Sequence, residues 1–387
     1  MVNLQAEYAQ PCKRLAYSAF IVNDKMKIGT YLQVLMLMAT LVGCSDEDGR
    51  LVMYNGACQL AIELDGGAIT SFRLTGSVCN PFTWQMARED MPVNNREGAP
   101  FHGHFLCLGR WGEPTEGEMK MGMPHNGQIG NSKWRIVSST STKAALQATS
   151  ELDYMVLNRT VELAPSTAVV KITDCVKSTA TVGRLCNIVQ HATVGPPFLN
   201  ELTTIESNAA DGFMQHLCHQ NPERWSYHWP VALADTLGHN IDLTNSSEPT
   251  SYVSTHLMAD DVAWIAAASP ETRLLLGYIW RRADYPWLNL WHQRQEGKLW
   301  AKGMEFGTAG VGGSYQQLLA TDSRFRGQKS FFYLDAGETV EKTFICFLLN
   351  IPHNYRGVDS LQLSEGCIIV KEKQSGKVST IDCPFKL

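Results

Sequence analysis

From Leu51 to the end of the chain, short runs rich in valine, isoleucine, leucine, threonine and aromatic residues alternate with turn residues. Such runs are typical of β-strands, and the glycine, proline, asparagine and aspartate residues between them are typical of turns. No segment keeps the apolar period of a long helix, and no internal repeat is present. The pattern predicts an all-β fold, either a sandwich or a barrel.

One hairpin can be predicted with its turn. Gln59–Leu64 and Ala68–Leu74 are joined by Asp65-Gly66-Gly67, and glycine supplies the positive φ that a tight turn needs. Two segments with many turn residues lie at 90–130 and 200–249. We expect function in these long loops, because loops on a rigid scaffold hold many binding and catalytic residues.

The N-terminal region has a different character. Met26-Lys27 provides a charged start, an apolar run follows from Tyr31 to Val42, and the run ends in Leu41-Val42-Gly43-Cys44. This order is that of a secretory signal, and the run is too short for a stable bilayer anchor. The last four residues resemble the bacterial lipobox, whose cysteine is lipidated and becomes the mature N-terminus. An ordinary buried apolar segment is the alternative.

These features predict the domain organisation. Residues 1–25 would be an over-extended gene start, residues 26–44 a lipoprotein signal peptide lipidated at Cys44, and residues 45–387 a single domain. The protein would then lie in a bacterial cell envelope, facing the periplasm or the cell surface. Its association with the membrane would be through the lipid anchor alone.

Composition and motifs narrow the function. A net charge of −5, a charged fraction of 18% and the lack of a basic run argue against nucleic-acid binding and favour a small neutral partner. None of the eleven cysteines pair at the C-x-x-C spacing of zinc or redox sites. The chain has no G-x-S-x-G elbow, Walker loop or G-x-G-x-x-G. We expect no metal site, since the histidines have no acidic partner at ligand spacing.

One carboxylate lies among several aromatic residues near the end of the chain. Glu305 follows Trp287, Trp291 and Trp300 at short distances in sequence, and flat aromatic faces suit the C–H side of a sugar ring. Burial among such groups raises the pKa of a carboxylate and moves it toward general-base function near neutral pH. A core strand with a glutamate at its rim would show the same pattern.

Three further segments could bring polar groups to the same pocket. The glycine-rich stretch 98–112 contains His104 and Arg110, and a guanidinium can hold two adjacent hydroxyls. A proline- and glycine-containing loop presents His125, and a predicted strand delivers His191. Together with Glu305 and the tryptophans, these residues are the candidate contacts of a sugar.

The order of these segments resembles that of the aldose 1-epimerase, or galactose mutarotase-like, family. Leu64–Phe72 is similar to the first hairpin of the family, Pro124–Trp134 to its histidine-glycine loop, and Leu334–Phe347 to its closing strand pair. The glycine that follows the loop histidine in the family is Asn126 here. The resemblance covers residues 51–385 and implies a large twisted antiparallel β-sandwich, the galactose mutarotase-like supersandwich.

The same resemblance implies acid–base opening of a sugar ring. The basic glutamate of the family corresponds to Glu305, its acid histidine to His191 and its sugar-binding histidine to His125. Glu305 would remove the anomeric proton while His191 protonates the ring oxygen, and rotation about C1–C2 followed by reclosure would exchange the anomers. No cofactor is needed, because every step is a proton transfer or a bond rotation. Arg110 has no secure family counterpart and is a candidate on its chemistry alone.

The partner implied is a monosaccharide or a glycan end, and the protein is expected to be a monomer or a dimer. Two other functions would use the same fold. One is a carbohydrate-binding lipoprotein without catalysis, and the other is a lyase or glycosidase. A glycosidase normally needs two carboxylates that flank the bond, and Asp284 and Glu296 are the possible partners of Glu305.

Overall fold

The structure is a computed structural model that describes residues 49–217 and 222–387. The signal peptide predicted at 26–44, the lipidation at Cys44 and the over-extended start at 1–25 therefore lie outside the described residues. The assignment of 45–387 to one domain remains a prediction. Within the described ranges, no helix combines the length and apolar character that crossing a membrane requires.

Two large antiparallel sheets contain most of the strands in the described residues. The first has ten strands in the spatial order β1 (Arg50–Tyr54), β2 (Cys58–Glu63), β3 (Ile69–Leu74), β4 (His104–Leu108), β10 (Ile188–Val194), β20 (Lys298–Gly307), β19 (Trp287–Gln295), β16 (Tyr252–Met258), β12 (Ala209–Met214) and β13 (Tyr227–His228). The second has eight strands in the order β11 (Thr204–Ser207), β17 (Val262–Ser269), β18 (Leu274–Arg281), β22 (Thr339–Asn350), β8 (Val169–Ser178), β7 (Met155–Leu163), β6 (Lys143–Ser150) and β5 (Arg135–Ser139).

Smaller elements complete the part of the chain that the structure describes. The small sheets are β14 (Val231–Leu233) with β15 (Asn240–Asp242), β9 (Arg184–Cys186) with β21 (Phe332–Leu334), and β23 (Val358–Ser364) with β24 (Cys367–Glu372) and β25 (Val378–Asp382). The α-helices are α1 (Glu116–Lys120) and α2 (Tyr315–Ala320), and short 3-10 turns lie at Arg88–Asp90, Val93–Asn95, Ile129–Asn131 and Gln215–Leu217.

Apolar side chains of both large sheets meet in one core. Leu60, Leu106 and Met304 of the ten-stranded sheet belong to the same buried cluster as Leu157 and Ile172 of the eight-stranded sheet. Each large sheet also has two ends, which a closed barrel would lack. The prediction of an all-β antiparallel sandwich is therefore confirmed, and the barrel alternative is wrong.

The first predicted hairpin is present with the turn that its glycines indicate. β2 pairs with β3 across the turn, and Gly66 and Gly67 have φ values of +82° and +67°. A Cβ on Gly67 would lie 2.3 Å from the Trp134 ring, so this glycine is needed for close packing as well as for its backbone conformation. The hairpin lies next to β1, the terminal strand of the ten-stranded sheet.

Candidate active site

An open cleft of about 350 Å³ lies on the face of the ten-stranded sheet that is turned away from the sandwich core. It is lined by Trp84, Met86, Asp90, Pro92, Phe101, Phe105, Trp111, Gly112, His125, Asn126, His191, Val253, Trp291, Glu305 and Gly312. Most of these side chains are aromatic or apolar, and the polar ones are few. Such a lining suits a ligand with apolar faces that is oriented by a small number of polar contacts.

Pairing between β10 and β20 brings two polar side chains together on the floor of this cleft. His191 lies directly opposite Glu305 in the antiparallel register. The Nε2 atom of His191 is 3.0 Å from Oε1 of Glu305, and the two residues are only 9% and 2% exposed. Residues 114 positions apart in sequence thus form a buried carboxyl–imidazole pair.

Burial moves the pKa values of the pair in opposite directions. It raises the pKa of Glu305 to about 8, against a smaller lowering by the hydrogen bond from Trp111. It lowers the pKa of His191 to about 3. Because burial disfavours the charged form of each group, the pair as a whole holds one proton near neutral pH.

Each member of the pair has a second hydrogen-bond partner. The indole N–H of Trp111 donates to Oε2 of Glu305 at 3.0 Å. On the other side, Nδ1 of His191 is 2.9 Å from the hydroxyl oxygen of Thr193. These contacts fix the orientation of both groups, and within the lining of the cleft His191 Nε2 and Glu305 Oε1 face each other.

Aromatic rings and one glycine shape the floor around the pair. The Phe105 ring stacks on His191 with centroids 4.2 Å apart, and Phe101 stacks on Phe105 at 4.9 Å. Opposite them, a Cβ on Gly303 would lie 2.8 Å from Oε1 of Glu305 and 3.2 Å from the Cβ of Trp291. The missing side chain at Gly303 therefore provides the space that the Glu305 carboxyl occupies.

The loop that carries His125 is held by its main chain. Asn95 accepts a hydrogen bond from the His125 backbone N–H and donates one to the His125 carbonyl, both at 3.0 Å. The imidazole itself lines the cleft, and burial lowers its pKa. The next residue, Asn126, has a φ of +66°, a conformation that glycine and asparagine adopt most readily. This explains why asparagine can stand where the resemblance implies a glycine.

Comparison with solved structures identifies the architecture. A galactose mutarotase related enzyme from Lactobacillus acidophilus superposes with a TM-score of 0.56 at 10% identity, over 81% of this chain and 100% of that one. A candidate aldose 1-epimerase from Escherichia coli K12 gives 0.55 at 12% identity, over 78% and 100%. A galactose mutarotase-like protein from Clostridium acetobutylicum gives 0.54 at 14% identity, over 78% and 95%. This chain has the galactose mutarotase-like fold. No protein-family model and no curated protein matches its sequence.

Within the galactose mutarotase-like fold, the structure brings several sequence-predicted residues into one cleft. Glu305, His191, His125 and Trp291 all line it. Trp300 lies one layer behind, edge-on to Trp291 with ring centroids 5.7 Å apart. Trp300 is thus placed to support the wall instead of lining it.

Three other candidates do not line the cleft. His104 is buried on the opposite face of the sheet, where its Nε2 is 3.2 Å from Oε1 of Gln190. Alternation along β4 explains this, because Phe105 and not His104 shares a face with His191. Trp287 is on the correct face, but it is fully buried and has Gly310 packed against its ring.

Arg110 also lies outside the cleft. Its guanidinium donates to both carboxylate oxygens of Glu118, at 2.8 and 3.0 Å, and lies 3.4 Å from Asp153. These partners border a separate cavity of about 200 Å³. Arg110 thus anchors α1 beside the end of β4, while the adjacent residue, Trp111, reaches the cleft. The geometry therefore places Arg110 outside the cleft in which it was expected to contact a hydroxyl.

The carboxylates considered for a glycosidase are also elsewhere. Asp284 forms ion pairs with Arg281 and Lys342, and Glu296 lies in the turn between β19 and β20 with a φ of +50°. Neither lines the cleft, where Asp90 is the acidic residue besides Glu305. The described residues also contain no group of three or more His, Cys, Asp or Glu side chains placed to hold a metal ion.

Several residues of the cleft were not identified from sequence. These are the aromatic lining residues Trp84, Phe101, Phe105 and Trp111. Trp111 stands beside Arg110 in sequence, and the donors of the arginine make it the stronger candidate when sequence alone is considered. The alternation of β4 could have indicated Phe105, whereas nothing local indicates that Trp84 lies near Trp291, with ring centroids 5.3 Å apart.

Proposed function

We propose that the protein binds a sugar in this cleft and interconverts its anomers by acid–base ring opening, as an aldose 1-epimerase does. The observation that carries the proposal is the 3.0 Å contact between His191 Nε2 and Glu305 Oε1 on an aromatic floor. A pair that holds one proton offers a donor and an acceptor side by side. The ring oxygen and the anomeric hydroxyl are both bonded to C1, so they can face the pair together.

The reaction is a cycle of balanced proton transfers. Burial favours the form with the proton on Glu305, and transfer of this proton to His191 gives the carboxylate and the imidazolium. The carboxylate then takes the anomeric hydroxyl proton while the imidazolium protonates the ring oxygen, so the C1–O bond of the ring breaks and a C1 carbonyl forms. Rotation about C1–C2 and the reverse transfers close the ring as the other anomer. The Trp111 N–H stabilises the transient carboxylate.

The remaining lining residues would bind and orient the sugar. No hydrogen bond to the His125 imidazole is made by the described residues, so its nitrogens are available to a hydroxyl. Trp291 and Trp111 offer flat faces to the apolar side of a pyranose. The mutarotase and epimerase names of the similar structures support this choice of reaction.

Polarimetry with freshly dissolved α-galactose and α-glucose tests the proposal. The wild type should accelerate the change in optical rotation, and Glu305→Gln should reduce this acceleration on the order of 100-fold or more while calorimetry still detects the sugar. His191→Asn should give a comparable loss, and the two losses should be far from additive because both residues serve one step. Full activity of Glu305→Gln would exclude Glu305 as the base.

Sugar binding without turnover is the second candidate function. The hydrogen bond that His191 and Glu305 make to each other favours it, because this contact must open before either group reaches a sugar oxygen. The same polarimetry separates the two functions. Calorimetric binding of an aldose without acceleration of its mutarotation would establish the binding role.

The envelope location is a separate part of the proposal. The lipobox-like Leu41-Val42-Gly43-Cys44 supports a lipid-anchored protein of the bacterial envelope, which would meet a monosaccharide or glycan end as a monomer or a dimer. Fatty-acid labelling of cells that produce the wild type should mark the protein. The same labelling of Cys44→Ala should not, because lipid attachment requires the thiol.

A further inference from the structure

A second depression lies beside the cleft on the same face of the ten-stranded sheet. This groove has a volume of about 670 Å³, larger than the cleft, and it lies over β1, β2 and β3. Gln59, Glu63 and Arg73 point into it, whereas Leu60 and Phe72, their neighbours in sequence, point into the core. Alternation along the strands therefore gives the groove a polar floor on the face that carries the cleft.

The groove and the cleft share one wall. Gln85 pairs with His102 in an isolated bridge, and the Met86 N–H donates to the Phe101 carbonyl at 2.9 Å. Met86 and Phe101 line the cleft, while Gln85 and His102 line the groove. Trp84 lines both, so the two depressions adjoin at this residue.

Polar atoms without partners mark this groove as a binding surface. Twelve buried side-chain nitrogen and oxygen atoms of the described residues make no hydrogen bond, and three of them, Nε of Arg73, Nε2 of His102 and Nε1 of Trp84, belong to residues of this groove. Trp84 as a whole is only 3% exposed. Buried polar groups are usually paired. These three atoms belong to residues that line the groove, so a ligand bound there would satisfy them after a small side-chain adjustment.

The charge of the groove is also incompletely balanced. Arg50 is paired with Glu63 at 2.8 Å. Arg73 donates to the amide oxygen of Gln59 at 2.7 Å, and no carboxylate of the described residues forms an ion pair with it. A guanidinium with unused donors suits adjacent sugar hydroxyls or the carboxylate of an acidic sugar.

We propose that this groove is a second carbohydrate subsite, which binds the sugar unit next to the one held in the cleft. This inference rests on the proposed function, because it requires that the cleft holds a sugar. It specifies that this sugar is the reducing end of an oligosaccharide. The chain of sugars would run along one face of the sheet, past Trp84. The apolar cleft would hold the reacting ring, and the polar groove would hold hydroxyl-rich units that do not react.

Calorimetry with monosaccharides and disaccharides tests this subsite. The probes are glucose and galactose, the neutral disaccharides lactose, maltose and cellobiose, and a disaccharide with glucuronate linked to glucose. At least one disaccharide should bind about tenfold more tightly than its reducing-end monosaccharide, the gain expected from one or two additional hydrogen bonds. A preference for the acidic probe would assign Arg73 to a carboxylate, and a preference for a neutral probe would assign it to hydroxyls.

Substitutions in the groove should selectively abolish the tighter binding of the disaccharide relative to the monosaccharide. Arg73→Gln and His102→Ala should bring the disaccharide close to the affinity of the monosaccharide, and Ser71→Phe should do the same by filling the groove. Arg135→Ala is the matched control, because Arg135 also donates to a glutamine, Gln147, but on the other large sheet. It should leave the gain unchanged.

The outcomes separate the subsite from the proposed function. Equal affinity for monosaccharides and disaccharides, or a gain that survives all three groove variants, would overturn the subsite even if polarimetry shows turnover. A gain that the variants abolish, together with no acceleration of mutarotation, would support the subsite and reject the epimerase function.

Discussion

Glu305 is a buried acid whose protonation couples the cleft to the stability of the fold. Its pKa in the folded protein is about 8, above the ordinary value of 4.5, because burial disfavours the carboxylate. The folded state therefore retains a proton that the unfolded chain releases above about pH 4.5. Folding stability should fall as the pH rises from about 4.5 to about 8, and level off above that range.

Glu305→Gln should consequently stabilise the protein while it removes activity. The amide keeps the size of the protonated acid and can hydrogen-bond to both His191 and Trp111, but it has no proton to lose. We expect a gain in the free energy of unfolding of about 1–3 kcal/mol at pH 7. Urea unfolding at pH 4.5 and pH 7 should show this gain only at the higher pH. Glu365→Gln, at an exposed turn position, is the control and should show no gain.

The His191–Glu305 pair also predicts the pH dependence of the rate. The cycle needs a pair that carries one proton, so that one group can donate a proton and the other can accept one. Above the Glu305 pKa of about 8 the donor is lost, and below the His191 pKa of about 3 the acceptor is lost. The enzyme-dependent kcat/KM for mutarotation should therefore fall above about pH 8, after subtraction of the spontaneous rate. A rate that keeps rising through pH 10 would contradict this assignment.

At the scale of elements, β20 places its side chains on two different surfaces. Glu305 points into the cleft, whereas Met304 and Phe306 point into the core. The cleft face of this strand also carries Gly303, and a Cβ there would lie 2.8 Å from Oε1 of Glu305. The strand thus combines a bulky core face with one gap that is filled by the Glu305 carboxyl.

Gly303→Ala should displace the Glu305 carboxyl from His191 and leave the fold intact, because the atom that must move is the end of a flexible side chain. A shift of this kind is expected to lower kcat about 10- to 100-fold. Polarimetry gives the rate, and circular dichroism checks the fold. Gly117→Ala is the control, since a Cβ at Gly117 meets no atom within 4 Å. Unchanged kcat in Gly303→Ala would mean that the carboxyl position is not critical.

At the scale of the whole molecule, the cleft offers little attraction to an anion. Its lining contains the acidic residues Asp90 and Glu305 and no lysine or arginine, burial lowers the pKa values of His125 and His191, and the chain carries a net charge of −5. A phosphate in the cleft would face carboxyl groups without a cation to pair with.

Neutral aldoses should therefore be better substrates than their phosphates. We expect kcat/KM for glucose 6-phosphate to be lower than for glucose by about tenfold or more, and the gap to narrow at high ionic strength. Polarimetry with both sugars at low and high salt measures this difference. A phosphate preferred over the neutral sugar would show that a cation outside the lining of the cleft reaches the substrate.

Much of the architecture follows from local sequence. Alternating apolar and polar residues indicate which strands form and which face is buried, as in β2 and β3, because the side-chain period of a strand is fixed. Asp65-Gly66-Gly67 specifies its turn because only certain residues adopt a positive φ easily. The pattern of such segments predicts an all-β sandwich or barrel, and their resemblance to galactose mutarotase-like proteins implies the antiparallel sandwich.

The composition of the cleft depended on contacts between distant segments. The sequence analysis predicts that the segments of Glu305, His191, His125 and Trp291 meet in one pocket. The contact between His191 and Glu305 depends on the pairing of β10 with β20, which strand alternation does not specify. Phe105 lies opposite His191 in the strand register and shares its face, whereas the adjacent residue His104 points to the other face and joins the core. For the same reason Trp111 holds Glu305 and Arg110 anchors α1. The sequence by itself determined the strands, their turns and the candidate acid–base residues. Only the tertiary structure decided which side chains share a face, because non-local strand register places each side chain in the cleft or in the core.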